Sequence, residues 1–125
     1  MTFYGFTVDN TKRPAEQTKA FQKACVDAVN KLKDRDADLL VIGNTNSPLF
    51  LPYTKRTKFG KGLMKINFLV NYGWSWDLNY GVKQTDFDPK DDITKTIASS
   101  DISRMDLIIR WGGRRRLSGF LPIQS

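Results

Sequence analysis

The chain contains apolar segments that are long enough to be strands and too short to be buried helices. Asp38–Gly43 (D-L-L-V-I-G) contains four consecutive apolar residues, and Leu63–Val70 (L-M-K-I-N-F-L-V) is mostly apolar. Met1–Thr7 is rich in aromatic residues, and Met105–Arg110 contains the run L-I-I. Strands that are apolar on both faces indicate a parallel sheet covered by helices. We therefore predict an α/β fold with a mostly parallel sheet flanked by helices.

Helical stretches separate these predicted strands. From Pro14 to about Asp34, apolar residues recur at helical spacing, and Pro14 suits a first helical turn. Shorter helices are predicted within Pro48–Gly62, over Ser75–Val82 and over Ile93–Ser100, and a polar loop over Gln84–Asp92. Neither a repeat nor a linker divides the sequence, so residues 1–125 are expected to form a single domain.

Composition narrows the classes of function. The net charge is +7, from 20 Lys and Arg against 13 Asp and Glu, which favours anionic partners. The absence of histidine excludes a histidine base or metal ligand, and the single cysteine, Cys25, excludes an internal disulfide and a cysteine-based zinc site. No apolar run approaches the roughly 18 residues that span a bilayer. We expect a cytoplasmic chain whose membrane contact, if any, is peripheral.

The segment from Asp106 reads D-L-I-I-R-W-G-G-R-R-R-L-S-G-F-L-P-I-Q-S. A predicted strand ends there at Arg110, and two glycines, three arginines and Ser118 follow. Glycine lets backbone N–H groups approach an anion, and guanidinium groups donate hydrogen bonds to phosphate oxygens. These residues favour a diphosphate site, although a solvated basic face or a nucleic-acid patch also fits an arginine run.

This segment resembles the C-terminal signature of the cis-prenyltransferases, the undecaprenyl diphosphate synthase family. The signature runs D-L-[ILV]-I-R-[TW]-[SG]-G, two variable positions, R-[LI]-S-x-F-L, two variable positions, then Q. Arg114 and Gly119 stand where many members have an acidic residue and Asn. The positions in register are Asp106, Arg110, Gly112, Gly113, Arg116, Leu117, Ser118, Phe120, Leu121 and Gln124. The resemblance implies that isopentenyl diphosphate is bound by Arg110, Gly112, Gly113, Arg116 and Ser118.

The first residues extend the resemblance. M-T-F-Y-G-F-T-V-D-N-T-K-R-P is similar to the family's L-T-L-Y-A-F-S-x-E-N-W-x-R-P, with Thr11 in place of Trp. By this resemblance Asn10 is a catalytic residue, and Thr7 and Arg13 bind the allylic diphosphate. From the residues alone, a polar loop with an Asx-type turn explains the same segment.

Other strands match the family as well, with local departures. L-L-V-I-G-N and I-N-F-L-V-N-Y-G correspond to family strands, whereas Trp74 and Ser75 replace Gly and Arg, and Asp77 replaces Glu. The 125 residues contain no D-G-N-x-R-W-A element, which in the family carries the catalytic, magnesium-associated Asp. The resemblance therefore implies a truncated domain over residues 1–125, with Mg²⁺ ligands outside this chain and no metal ligand within it.

The fold and the resemblance together give a functional expectation. Ligands of parallel sheets bind outside the carboxyl ends of the strands, so we expect Val8–Arg13, Asn71–Asp77 and Arg110–Ser118 to converge there. The resemblance implies condensation of isopentenyl diphosphate with an allylic diphosphate such as farnesyl diphosphate, in a homodimer or heteromer. This chain would carry the isopentenyl diphosphate half and be inactive alone. The alternatives are a non-catalytic subunit of a heteromeric prenyltransferase and, least favoured, a small basic nucleic-acid-binding module.

Overall fold

The structure is a computed structural model that describes residues 1–46, 53–84, 88–90, 92–110, 112–113 and 115–125, and only the backbone of Thr11. The chain divides into two compact units, Met1–Tyr72 (unit 1) and Gly73–Ser125 (unit 2), and each is described by itself. The expectation of a single domain over residues 1–125 stays a prediction.

Unit 1 contains a four-stranded sheet of order β1-β4-β2-β3. Strand β1 is paired in parallel with β4, β4 in parallel with β2, and β3 runs antiparallel to β2. The predicted α/β fold with a mostly parallel sheet is confirmed. The strands are β1 (Thr2–Thr7), β2 (Ala37–Ile42), β3 (Thr57–Phe59) and β4 (Met64–Tyr72).

One long helix, α1 (Ala15–Lys33), covers the apolar core of unit 1 and confirms the helix predicted from Pro14 to about Asp34. Its Cys25 and Val29 are buried, since helical spacing places them on one face. All of β2 and the last seven residues of β4 are buried, as consecutive apolar residues predict for strands covered on both faces. Cys25 is the small core residue expected, and burial raises the pKa of its thiol.

The prediction of a short helix within Pro48–Gly62 is wrong for residues 53–62, which the structure describes. Residues 48–52 lie outside the described residues, and Thr57–Phe59 forms β3 along the edge of the sheet. Its aromatic Phe59 packs edge to face against Tyr53, with ring centroids 5.7 Å apart. Pairing with β2 and this ring contact decide the local structure, and neither is visible in a short sequence window.

Unit 2 contains α2 (Trp74–Val82) and a 3-10 helix over Ile93–Lys95, close to the helical segments predicted there. A Cβ at Gly81 would stand 3.1 Å from Ile97, which shows that α2 packs closely against the segment that follows it. Of the predicted loop Gln84–Asp92, residues 85–87 and 91 lie outside the described residues. None of the helices in the described part of the chain is long and apolar enough to span a bilayer.

The strand predicted over Met105–Arg110 is wrong. This segment belongs to no strand, and its Leu107 and Ile109 are 75% and 66% exposed. The Met105 N–H donates to the Gln124 carbonyl, 2.7 Å away, rather than to a strand. An apolar run becomes a buried strand only where a neighbouring strand supplies hydrogen bonds, and the described residues provide none here.

Candidate functional site

Three of the predicted site residues lie together in unit 1, directly after β1. Thr7 ends the strand, and a 3-10 helix follows over Val8–Lys12. The Thr7 hydroxyl oxygen accepts a hydrogen bond from the Asn10 N–H, 3.2 Å away, and so caps that helix. The Arg13 N–H donates to the Asn10 carbonyl, 3.1 Å away. These contacts fix the backbone that carries Asn10 and Arg13.

The side chain of Arg13 is exposed and lies over an aromatic ring of α1. Its guanidinium carbon is 5.5 Å from the centre of the Phe21 ring, in the range of a cation–π contact. The ring lies against the guanidinium group and forms no hydrogen bond with its in-plane N–H donors. Arg13 is therefore well placed to bind an anion at the carboxyl end of β1.

The carboxyl ends of β2 and β4 are joined by a pair of asparagines that sequence reasoning did not single out for this role. The Asn71 side-chain amide donates to the Asn44 carbonyl, 3.0 Å away, and the Asn44 N–H donates to the Asn71 carbonyl, 3.2 Å away. Asn71 is buried with φ of 51°, a backbone conformation that asparagine tolerates better than most residues. Asn71, the first residue of the N-Y-G motif, thus joins the carboxyl ends of β2 and β4.

The other predicted site residues lie in unit 2, on an exposed turn. Arg110 Nη1 donates to the Arg116 carbonyl and to the Ser118 hydroxyl oxygen, the latter 3.0 Å away. We call residues 110–118 the arginine turn. Positive φ values occur at Gly112 (90°), Gly113 (65°) and Ser118 (52°). The structure therefore brings Arg110, Arg116 and Ser118 together, while Trp111 and Arg114 lie outside the described residues.

The contacts of Arg110 shape what the arginine turn can bind. A guanidinium carries N–H donors on each of its nitrogens, and the contacts with Arg116 and Ser118 use Nη1. No hydrogen bond from Nε or Nη2 to another described residue is seen, so these donors can face a phosphate oxygen. Arg115 and Arg116 are exposed alongside, so the turn presents several permanent positive charges to solvent. A compact anion with several oxygens, such as a diphosphate, fits this chemistry.

The two groups of predicted residues belong to different units. Thr7, Asn10 and Arg13 lie in unit 1, whereas the arginine turn lies in unit 2. Their convergence at one edge of the sheet stays a prediction.

The carboxylate and thiol side chains and a cavity in unit 2 bear on metal and ligand binding. Among the described residues, His, Cys, Asp and Glu do not form a group of three or more that could hold a metal ion. That the ligands of the magnesium implied by the resemblance lie outside this chain stays a prediction. A cavity of about 370 Å³ in unit 2 is lined by Tyr80, Gln84, Lys95, Thr96, Ile97, Ala98 and Ser100, which are not predicted site residues.

Comparisons with known proteins add independent findings. The chain is similar to the undecaprenyl diphosphate synthase, farnesyl-diphosphate specific, of Pectobacterium atrosepticum, with 31% identity over 97% of this chain and 56% of the relative. It is also similar to the isoprenyl transferase of Streptococcus agalactiae, with 30% identity over 100% of this chain and 60% of the relative. The chain thus spans little more than half the length of these curated relatives.

A solved structure and a family model complete the comparison. A probable undecaprenyl diphosphate synthase from Campylobacter jejuni shares the fold, with a TM-score of 0.78 and 18% identity over 98% of this chain and 64% of that one. The family model described as "Putative undecaprenyl diphosphate synthase" matches residues 1–125. Because that match covers the whole sequence, the chain belongs to the undecaprenyl diphosphate synthase family, the cis-prenyltransferases.

Proposed function

We propose that this chain takes part in cis-prenyl transfer and carries the part of the site that binds isopentenyl diphosphate. The observation that supports this most is the arginine turn, where Arg110 is oriented by the Arg116 carbonyl and the Ser118 hydroxyl. Membership in a prenyltransferase family gives the reaction class. In the proposed site, Arg110, Arg116 and Ser118 hold the diphosphate, and the N–H groups of Gly112 and Gly113 approach its oxygens.

The proposed allylic side of the reaction involves the residues after β1. Arg13 would bind the diphosphate of an allylic substrate of the farnesyl diphosphate class, and Asn10 would act at the reacting end of that substrate. Thr7 would support both by capping the 3-10 helix, as its contact with the Asn10 N–H suggests. A fixed backbone reduces the entropy lost when the substrate is held in a reactive geometry.

We propose further that both units are parts of one domain, since the family model runs through both. The proposed assembly is a homodimer or a heteromer, and the element that carries the catalytic Asp would lie outside these 125 residues. Mg²⁺ would then be bound by residues other than those described, and the chemistry that it supplies is neutralisation of the leaving diphosphate. A cytoplasmic location, with at most peripheral membrane contact, fits a buried free thiol at Cys25.

Calorimetry on the folded 125-residue chain tests the diphosphate site. Charge-assisted hydrogen bonds contribute about 1.5–3 kcal/mol each, so Arg110→Ala should weaken the Kd for isopentenyl diphosphate about tenfold or more. The matched control is Arg35→Ala, which removes the same charge from an exposed turn in unit 1. An unchanged Kd in a folded Arg110→Ala variant would rule out the proposed site, whereas equal losses in both variants would indicate general charge attraction.

Turnover by the 125 residues alone is a separate question. The sequence contains no position that matches the family's catalytic Asp, so we expect no incorporation of isopentenyl diphosphate when this chain is assayed by itself. The measurement is radiolabel incorporation into an allylic diphosphate in the presence of Mg²⁺. Product formation above the level of an Asn10→Ala variant would contradict the proposed division of the site.

A further inference from the structure

A chain of buried polar side chains lies at the centre of unit 2. Asp77 in α2 and Ser99 are fully buried, and Gln124 is 7% exposed. The carboxylate of Asp77 accepts a hydrogen bond from the Ser99 N–H, 3.0 Å away, and another from the Ser99 hydroxyl. The Gln124 side-chain amide donates to the oxygen of that same hydroxyl. The residues are far apart in sequence, so the contacts join three separate segments.

The direction of these hydrogen bonds follows from what each group can donate. The Ser99 hydroxyl donates to a carboxyl oxygen of Asp77, so its hydrogen points to Asp77. The hydroxyl oxygen can then only accept from Gln124, which must present its NH₂ group. This leaves the Gln124 side-chain oxygen buried without a described partner. Asp77 therefore sets the orientation of Gln124 through Ser99.

Gln124 also joins the two ends of the segment 105–124, which contains the arginine turn. Its carbonyl accepts the Met105 N–H, 2.7 Å away, and its own N–H donates to the Leu121 carbonyl. The chain leaves this point at Met105, passes through the arginine turn and returns to it at Gln124. The described residues of the turn are exposed, whereas Gln124 is buried and Met105 is half-buried.

We propose that Ser99 and Gln124 are positioning residues for the arginine turn, an inference that rests on the proposed function. Neither residue lies in the turn. Gln124 binds Met105 at the other end of residues 105–124, and Ser99 connects Gln124 to Asp77 in α2. These contacts limit the conformations open to Arg110 and Arg116 before a ligand binds. Restricting a loop in advance lowers the entropy lost on binding and so strengthens binding.

Two variants test this role. Ser99→Ala removes the hydroxyl that links Asp77 to Gln124, and Ser100→Ala removes a neighbouring exposed hydroxyl as the matched control. Gln124→Met keeps the volume of the side chain but not its amide. The replacement removes the hydrogen bonds that this amide donates to the Ser99 hydroxyl and carbonyl, so the Kd is compared at a temperature at which both variants are fully folded.

The measurements are the calorimetric Kd for isopentenyl diphosphate and amide hydrogen exchange over residues 105–124 without ligand. We expect Ser99→Ala and Gln124→Met to weaken the Kd about fivefold and to speed exchange in that segment, with Ser100→Ala unchanged. A merely structural role would lower the melting temperature yet leave the Kd of the folded protein unchanged, and that result would overturn the inference. If the unsubstituted chain does not bind isopentenyl diphosphate, the proposed function fails and the positioning role with it.

Discussion

The Arg110 side chain is oriented by hydrogen bonds from one of its nitrogens to other residues of the arginine turn. The Arg116 carbonyl and the Ser118 hydroxyl both accept from Nη1, so the guanidinium plane is oriented although the side chain is exposed. Ser118 adopts φ of 52°, a conformation that costs about 1–2 kcal/mol in an L residue. The turn therefore holds a strained residue in a position where its hydroxyl orients an arginine, which is consistent with a binding role.

Tyr4 gives a pH-dependent prediction at the residue scale. Burial, together with the nearby Asp9 carboxylate, raises the pKa of Tyr4 to about 12, and the hydroxyl donates to the Tyr72 carbonyl 3.5 Å away. A raised folded-state pKa gives stability that is present below about pH 10 and lost as pH rises towards 12. With the solvent around this partly exposed ring, the loss should be at most about 2 kcal/mol.

Denaturant unfolding at pH 9 and at pH 11.5 measures this effect. The unsubstituted chain should lose stability over that interval, and Tyr4→Phe should lose less because it has no phenol to ionise. Equal losses in the two proteins would show that other groups cause the alkaline transition.

At the scale of elements, the carboxyl ends of β2 and β4 approach very closely after Ile42. A Cβ built on Gly43 would stand 1.6 Å from the Val70 carbonyl oxygen, so any side chain there would force the two segments apart. The Asn44 and Asn71 contacts follow immediately and depend on the same approach. Gly43 is thus required by packing and not by an unusual φ value.

Gly43→Ala should therefore destabilise the chain by about 3 kcal/mol or more, because backbone atoms must move to admit the methyl group. Thermal unfolding followed by circular dichroism measures this. Gly112→Ala is the control: among the described residues no atom lies within 4 Å of a Cβ there, and the φ of 90° opposes it at a cost of about 1 kcal/mol. A Gly43→Ala variant as stable as Gly112→Ala would contradict the close approach.

The helices and strands that could be predicted from sequence are those whose structure follows from the local pattern of apolar residues. The buried strands β2 and β4 and the helix α1 follow from consecutive apolar residues and from helical periodicity. The strand predicted over Met105–Arg110 failed because the pattern of a segment does not reveal whether a neighbouring strand exists. Ser99 could not have been singled out, since a serine in a polar stretch gives no sign that it will be fully buried.

For the whole molecule, the net charge of +7 favours anions of every kind, so specificity must come from geometry. The salt dependence of the affinity distinguishes a specific diphosphate site from general attraction of anions. A diphosphate held by a few oriented donors should lose about tenfold or less in affinity between 50 and 200 mM KCl. Duplex DNA contacting six to ten phosphates should lose about 10³-fold or more over that range. Fluorescence anisotropy with labelled DNA, beside calorimetry with isopentenyl diphosphate, measures both. Tighter DNA binding at 200 mM KCl would favour the nucleic-acid alternative.

The most direct measurement of the central claim is a titration of the ¹⁵N-labelled chain with isopentenyl diphosphate, followed by amide and guanidinium NMR shifts. The proposed site predicts that the largest shifts occur at the amides of Gly112, Gly113, Arg116 and Ser118 and at Arg110 Nε. Shifts absent from the arginine turn, while other parts of the chain respond, would contradict the assignment of the isopentenyl diphosphate site to this turn.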